Sequence, residues 1–188
     1  VGDVGLGGAL VQKKEEPSEI EFASVHNTQL GLSIAVATGI AVFARSIIGY
    51  WPTASSSARF VLYGLAIELV LTSFRTIPVI KLERHLNFSR LTVLEVASNL
   101  SFVLVAMLCA MFGLGALSFG VAAVAQGVVG LVFAYSLSPW RPSLRFSRAA
   151  LWPLIGFGTR YQLKNVSGFA IGAVNPLFAG RTDRKSVV

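Results

Sequence analysis

The stretch Val96–Trp140, VASNLSFVLVAMLCAMFGLGALSFGVAAVAQGVVGLVFAYSLSPW, contains no charged side chain in 45 residues. The hydrocarbon core of a bilayer is about 30 Å thick and an α-helix rises about 1.5 Å per residue, so one membrane span takes about 20 residues. The stretch therefore predicts two spanning helices joined by a tight turn at Gly113-Leu114-Gly115. The first helix, span C, is predicted to begin near Leu91, and the second, span D, to end near Leu137.

The composition of the whole chain agrees with a membrane protein. Hydrophobic residues make up 54% of the 188 residues and charged residues only 13%, whereas a soluble domain carries about 25% charged residues. So few charges cannot cover a protein with a water-facing surface. Because the apolar runs are continuous and do not alternate, they predict an all-α, polytopic helical bundle and not a transmembrane β-barrel.

Further apolar runs predict the rest of this bundle, which would have about five to six transmembrane helices. They are span A (Phe22–Ala44), span B (Phe60–Ile80) and span E (Phe157–Gly180). The glycine-rich segment Val1–Val11 is interpreted as the end of an earlier helix. Residues Ala149–Gly158 predict an interfacial helix, since Pro153 is tolerated in its first turns.

The distribution of positive charge predicts the orientation of the chain, whose net charge is +7. Nine Lys and Arg residues fall in alternate loops, 12–21, 75–90 and 138–148, and two fall in loop 45–59. The first set of loops is therefore predicted to face the cytoplasm. Because these cations lie between apolar runs and not along one face, nucleic acid is not an expected partner.

Polar residues inside span B are the first candidate functional residues, because a charge at the bilayer centre costs about 2.5–3.5 kcal/mol. Glu68, Thr72 and Arg75 lie at i, i+4 and i+7, on one face of the predicted helix. Glu68 either forms a structural pair between helices or faces a cavity. Arg75 can extend its side chain to the membrane interface.

Two further groups of polar residues lie in spans C and E. Glu95 and Asn99 share one helix face; Glu95 is either solvated at the interface or faces a cavity, and Asn99 either bonds a neighbouring helix or faces that cavity. Arg160 and Lys164 lie one turn apart, deep in the membrane if their helix starts near Leu151 and interfacial if it starts later. In apolar surroundings these two cations would need an anion, either a phosphate group or a carboxylate.

The sequence contains no pattern typical of an enzyme. His26 and His85 are isolated, and each is predicted to lie in a polar loop or at an interface. No HExxH or GxSxG motif occurs, and Cys109, the one cysteine, has neither a disulfide partner nor metal-ligand spacing around it. The prediction is a non-enzyme without a cofactor or metal ion.

The chain contains GDVGLGGALVQ at Gly2–Gln12, SPWRP at Ser138–Pro142 and LRFSR at Leu144–Arg148. In these segments it resembles the polysaccharide transporter branch of the multidrug/oligosaccharidyl-lipid/polysaccharide exporter superfamily. It is most similar there to exporters of the colanic-acid and teichuronic-acid type. The segments Leu163–Asn165 and Asn175–Arg181 resemble the seventh helix of that family.

This resemblance implies a multi-pass protein of the bacterial inner membrane with a partial MATE-like fold, in which two lobes surround a central cavity. Such a protein flips polyprenyl-diphosphate-linked oligosaccharide to the periplasmic leaflet for cell-surface polysaccharide biosynthesis. Its expected partners are the lipid-linked oligosaccharide and membrane lipids, and the oligomeric state is open. One alternative is a drug/cation antiporter of the same superfamily, with Glu68 as its strongest ion-site candidate. Another is a non-transporting membrane protein.

The resemblance also divides the chain into three parts. Residues 1–148 would be helices of the N-terminal lobe, and residues 149–181 would be the interfacial helix and the start of the second lobe. Residues 182–188 are predicted to be a non-native tail, because Asp183–Val188 reads like a translated sequencing adapter. The chain is then expected to be a fragment of the transporter.

Overall fold

The computed structural model describes residues 6–49 and 57–156. Regular structure within these ranges is entirely helical, and its helices are α1 (Leu6–Gln12), α2 (Glu19–Gly49), α3 (Ala58–Arg84), α4 (Phe88–Met111) and α5 (Leu117–Leu137). A further helical segment, α6, occupies residues 148–156 at the end of the described range. The predicted all-α fold is confirmed.

Four of these helices, α2, α3, α4 and α5, are long and apolar enough to cross a membrane, over 28, 27, 24 and 21 residues respectively. They expose large apolar side chains, such as Val42 and Phe43 of α2 and Met107 and Met111 of α4. A contiguous surface of this kind is suited to lipid and not to water. The chain is therefore a multi-pass membrane protein. Predicted spans A to D correspond to α2 to α5, and predicted span E lies outside the described residues.

The four long helices form one layer in the order α2, α3, α5, α4. α3 packs against α2 on one side and α5 on the other, whereas α4 packs mainly against α5. The short helix α1 packs against α3. α3 and α5 are thus the two central helices, and they bring side chains from all four spans together.

Small side chains allow α3 and α5 to approach closely. The buried residues of α5 are all small: Ser118, Gly120, Ala122, Ala123, Gly127, Gly130 and Ala134. At one crossing point a Cβ atom on Gly64 of α3 would lie 2.5–2.8 Å from backbone atoms of Gly120. Lipid tails are as apolar as the helices, so close packing of this kind is what holds membrane helices together.

The helices extend beyond the uncharged runs that predicted them. α3 continues through Pro78 and Lys81 to Arg84, although residues from Lys81 onward were predicted to form a loop. Lys and Arg are good helix formers, and near a helix C-terminus they interact favourably with the helix dipole. The positive charges therefore indicate where the chain leaves the hydrocarbon, while the loop itself comprises only residues 85–87.

A capping box starts α2. The Ser18 Oγ accepts a hydrogen bond from the backbone N–H of Glu21 at 3.3 Å, and the Glu21 carboxylate accepts one from the Ser18 N–H at 2.8 Å. This exchange satisfies two of the N–H groups left over at a helix start. Lys13 donates to the same carboxylate at 2.7 Å, which ties the loop before α2 to the helix.

Arg84 joins the end of α3 to the end of α1. Its guanidinium donates hydrogen bonds to the backbone carbonyls of Leu10, Val11, Lys13 (2.9 Å) and Glu15 (3.2 Å). The last carbonyls of a helix have no partner within it, and the planar fork of an arginine can satisfy several of them at once. Arg84 thereby fixes both α1 and the loop that follows it.

Substituting Arg84 with lysine should loosen this loop, although the positive charge is kept. A lysine is a single donor group on a flexible stem and cannot bridge four separate carbonyls. We expect cleavage by a glutamate-specific protease at Glu15 of the purified full-length protein to become about tenfold faster, corresponding to about 1.4 kcal/mol. An unchanged cleavage rate would show that Arg84 does not hold the loop.

Candidate functional site

The layer formed by α2, α3, α5 and α4 has two faces of different character. The first carries an apolar groove of about 660 Å³ between α3 and α5, lined among others by Tyr63, Ile67, Val124 and Val128. A second groove of about 500 Å³, between α2 and α3, shares Tyr63 and Ile67 with it. We call this side the apolar face.

The opposite side carries a separate set of polar side chains from the spans. Each helical residue adds a rotation of about 100°, so Gln126 lies about half a turn from Val124 and Val128, and Thr76 about half a turn from Ile67. We call this side the polar face and define it by Gln29, Ser33, Glu68, Thr72, Thr76, Glu95, Asn99 and Gln126. Three of the predicted site residues, Glu68, Glu95 and Asn99, belong to it.

Glu68 bonds within its own helix. Thr72 Oγ1 donates a hydrogen bond to Glu68 Oε1 at 2.6 Å, as their i, i+4 spacing allows. The aliphatic part of Glu68 lies against α5, where a Cβ on Gly127 would be 3.5 Å from Glu68 Cγ. Glu68 therefore lies at the junction of α3 and α5 with a neutral hydroxyl as its partner.

Arg75 extends past α5 towards α4. Its Nη2 lies 4.0 Å from Glu95 Oε1, and the exposed fractions of the two side chains are 17% and 47%. A Cβ on Gly130 would lie 2.6 Å from Arg75 Nη1 and 2.9 Å from Ser98 Oγ, so a glycine at this position leaves room for the guanidinium. Arg75 thus faces a carboxylate on another span, which the sequence did not indicate.

Asn99 and Gln126 form a hydrogen bond between α4 and α5. Gln126 Nε2 donates to Asn99 Oδ1 at 3.0 Å, and Asn99 is exposed. Gln126 was not among the predicted site residues, although a lone amide in an apolar run is a usable signal because a buried amide needs a partner. An exposed amide pair is unfavourable against lipid and favourable against a wet cavity.

A small cleft of about 180 Å³, with a mostly apolar lining that includes five polar side chains, lies between α2 and α3 next to Thr72. Its polar lining consists of an amide from α2 and hydroxyl groups from both helices: Gln29, Ser33, Thr72, Ser73 and Thr76. The cleft extends the polar face to the outer edge of the layer. No Lys, Arg, Asp or Glu lines it within the described part of the chain.

The connection between α5 and α6 docks on the first turns of α2. Trp140 is buried, its ring centroid lies 5.1 Å from that of His26, and its Nε1 donates to Glu19 Oε2 at 3.0 Å. Asn27 Nδ2 donates to the carbonyls of Ser143 and Arg145, each at 3.1 Å. These contacts fix the loop that leads to α6.

His26 has different surroundings from those predicted. It is 1% exposed and packs edge-on between Trp140 and Phe74, with centroid distances of 5.1 and 5.5 Å. It also forms a hydrogen bond with the backbone of Ser73. The prediction of a polar loop was wrong for His26, which lies within α2, because a neutral imidazole can be buried when aromatic rings and a backbone partner surround it.

The other two predicted site residues, Arg160 and Lys164, lie outside the described residues, so their place relative to the polar face stays a prediction. Within residues 6–49 and 57–156, no group of three or more His, Cys, Asp or Glu side chains could hold a metal ion. The candidate site therefore consists of neutral amides, hydroxyls and single carboxylates.

Together, the four apolar spans and the polar face between them define a helical, multi-pass membrane protein. The chain belongs to the polysaccharide biosynthesis protein family, which matches residues 1–186. Neither a curated protein nor a solved structure matches it. The broad family implied by the sequence resemblance is confirmed, and the colanic-acid and teichuronic-acid type stays a prediction.

Proposed function

We propose that the protein moves polyprenyl-diphosphate-linked oligosaccharide across the bacterial inner membrane for cell-surface polysaccharide biosynthesis, as a transporter and not as an enzyme. The observation that carries the proposal is the polar face of an otherwise apolar helix layer. Sugar hydroxyls lose their hydrogen bonds to water inside a bilayer, and each unsatisfied group costs several kcal/mol there. A transporter of glycans must therefore offer replacement partners within its spans.

Membership in a polysaccharide biosynthesis family supports this direction. In the proposed mechanism the polar face lines a cavity between this lobe and a second one, and the cavity opens alternately to the two sides of the membrane. The apolar face then contacts lipid or further helices of the same lobe. The loops rich in Lys and Arg would lie in the cytoplasm, where α2 would begin and α3 would end.

The predicted site residues take separate roles in this mechanism. Glu68, Glu95 and Asn99 would be cavity groups that exchange hydrogen bonds with the glycan. Arg160 and Lys164 would bind the diphosphate, because a dehydrated phosphate needs charge-assisted donors. The described part of the polar face is richer in acceptors and neutral groups than in cations, which fits the glycan better than the phosphates.

The double substitution of Asn99 and Gln126 by leucine tests the proposal. Removing both partners of a hydrogen bond leaves no unpaired group, so a purely structural pair should be replaceable at little cost. A cavity surface would instead lose two groups that solvate the glycan. We expect polymer at the cell surface to fall by about tenfold or more, at unchanged membrane abundance of the full-length protein, corresponding to about 1.4 kcal/mol or more.

The matched control is the substitution of Val128 by leucine on the apolar face of α5, which should leave export unchanged. Normal export by the Asn99→Leu, Gln126→Leu variant would contradict the proposed role of the polar face. Proton-driven dye efflux in vesicles, together with export that does not depend on the gene, would instead identify a drug/cation antiporter.

A further inference from the structure

In the cleft between α2 and α3, the hydrogens of the lining hydroxyl groups are already used within the helices, as is common for Ser and Thr in helices. Ser33 Oγ donates to the carbonyl of Leu30 at 2.9 Å, and Ser73 Oγ donates to that of Val70 at 2.7 Å. Each hydroxyl oxygen keeps lone pairs that can still accept. These two groups therefore present acceptors to the cleft.

The two threonines of the cleft show the same balance. Thr76 Oγ1 donates to the carbonyl of Thr72 at 3.3 Å, and Thr72 Oγ1 donates to Glu68 Oε1 at 2.6 Å. The remaining polar group, the amide of Gln29, can both donate and accept. The cleft thus offers four hydroxyl acceptors and no cationic donor from the described residues that line it.

This balance selects the chemistry of a ligand. A diphosphate carries only acceptors at neutral pH, so it would find few donors in the cleft and no positive charge. Sugar hydroxyls and the N–H of an acylated amino sugar are donors and fit the acceptors. The remaining lining, Leu32, Val36 and Leu69, suits the C–H surface of a sugar ring.

The volume of the cleft also discriminates between ligands. About 180 Å³ is the space of roughly six water molecules at about 30 Å³ each. A single dehydrated cation, the other ligand that favours oxygen acceptors, would leave most of this space empty. One sugar unit with its hydroxyls fills the space of several water molecules.

From these observations we propose that the α2–α3 cleft binds a sugar unit of the transported substrate and not its diphosphate. The inference rests on the proposed transport of lipid-linked oligosaccharide and adds a location to it. The polar acceptors are supplied by Ser33 on α2 and by Thr72, Ser73 and Thr76 on α3. The site then lies at the edge of the polar face, two helices away from the Asn99–Gln126 pair.

Binding by the purified full-length protein in lipid nanodiscs tests the location. The two probes are the polyprenyl-diphosphate-linked oligosaccharide extracted from the producing cells and undecaprenyl diphosphate without sugar. The variant Ser33→Ala, Thr76→Val removes two acceptors with little change of shape. We expect its affinity for the glycolipid to fall about fivefold or more, while its affinity for the sugar-free lipid changes less than about twofold.

The control variant is Thr38→Val, which removes a hydroxyl from the same helix α2 in the groove of the apolar face. It should bind both lipids as the wild type does. Equal losses for both lipids in the cleft variant, or an equal loss in the Thr38 variant, would overturn the assignment of the cleft. A wild type that binds the glycolipid no better than the sugar-free lipid would overturn it as well.

A cysteine at position 33 in a Cys109→Ser background gives a second readout, one that does not depend on removing acceptors. Maleimide labelling at this position should be slowed several-fold by the glycolipid and not by undecaprenyl diphosphate. If the glycolipid does not protect position 33 while the wild type still exports polymer, the assignment of the sugar site to the cleft is refuted and the proposed transport function is not. Loss of the proposed function itself would appear as polymer export that does not require the gene.

Discussion

Substituting Gly64 with leucine should separate α3 from α5 and remove the folded protein from the membrane. A Cβ at this position would lie 2.5 Å from the Gly120 carbonyl oxygen and 2.7 Å from its Cα. Backbone atoms in the middle of two packed helices cannot move aside as the end of a flexible side chain can. The free energy of unfolding should therefore fall by more than the loss of about 1–3 kcal/mol that is typical of overpacking.

The effect of Gly64→Leu should extend beyond one contact, because α3 and α5 are the central helices of the layer. Gly31→Leu on α2 is the matched control, since a Cβ there meets nothing within 4 Å. Membrane abundance and melting temperature of the full-length protein should fall sharply for the first variant and not for the second. Equal behaviour of the two variants would contradict the close helix crossing.

The number and class of the long helices could be predicted from the sequence because hydrocarbon imposes a simple rule. A segment must supply about 20 apolar residues to cross the hydrocarbon. The uncharged run from Val96 to Trp140 is long enough for two such segments. The two glycines of the predicted turn adopt positive φ values, 79° for Gly113 and 56° for Gly115, which glycine adopts without steric cost.

The ends of the helices could not be read from charge alone. The membrane sets where charges appear, whereas capping and propensity set where helices end. α3 therefore passes Lys81 and ends at Arg84. At the other boundary α2 starts at Glu19, three residues before the predicted span, because the capping box at Ser18 fixes it.

The sequence predicted some of the polar residues that define the candidate site, but it predicted neither Gln126 nor any of the pairings. Periodicity placed Glu95 and Asn99 on one face of a helix, yet it contains no information on which helix lies opposite. α4 packs mainly against α5, the helix after it, and much less against α3, the helix before it. The partners Gln126 and Arg75 follow from that arrangement, which depends on small residues of α5 such as Gly130.

Trp140 shows the same limit in the loop after α5. Its side chain is 6% exposed and belongs to a buried cluster with Phe22, Val25 and Leu151, which the sequence of the loop does not indicate. Its neighbours come from α2 and α6, and only the folded chain brings them together. A buried tryptophan in such a cluster connects the layer to the segment that follows it.

Substituting Trp140 with alanine should release the loop and α6 from the layer. The change removes the ring contact with His26 and the hydrogen bond to Glu19, and it leaves a cavity in the buried cluster. Losses of about 3–5 kcal/mol are typical of Trp→Ala in a core. We expect protease cleavage within residues 141–147 to accelerate by more than tenfold and polymer export to be lost.

Two further variants separate the contributions to this effect. Trp140→Phe keeps most of the ring contact and removes only the Nε1–H donor, so it should cost about 0.5–3 kcal/mol, depending on how far the Glu19 carboxylate is resolvated. Trp152→Ala removes a ring of the same type that is 68% exposed and should leave cleavage in the loop unchanged. The loop also forms hydrogen bonds with α2 through Asn27 and Ser24. If cleavage of the loop accelerates only in Trp140→Ala, the buried ring is what attaches the loop to the layer. Equal cleavage of all three variants would assign it to the backbone contacts instead.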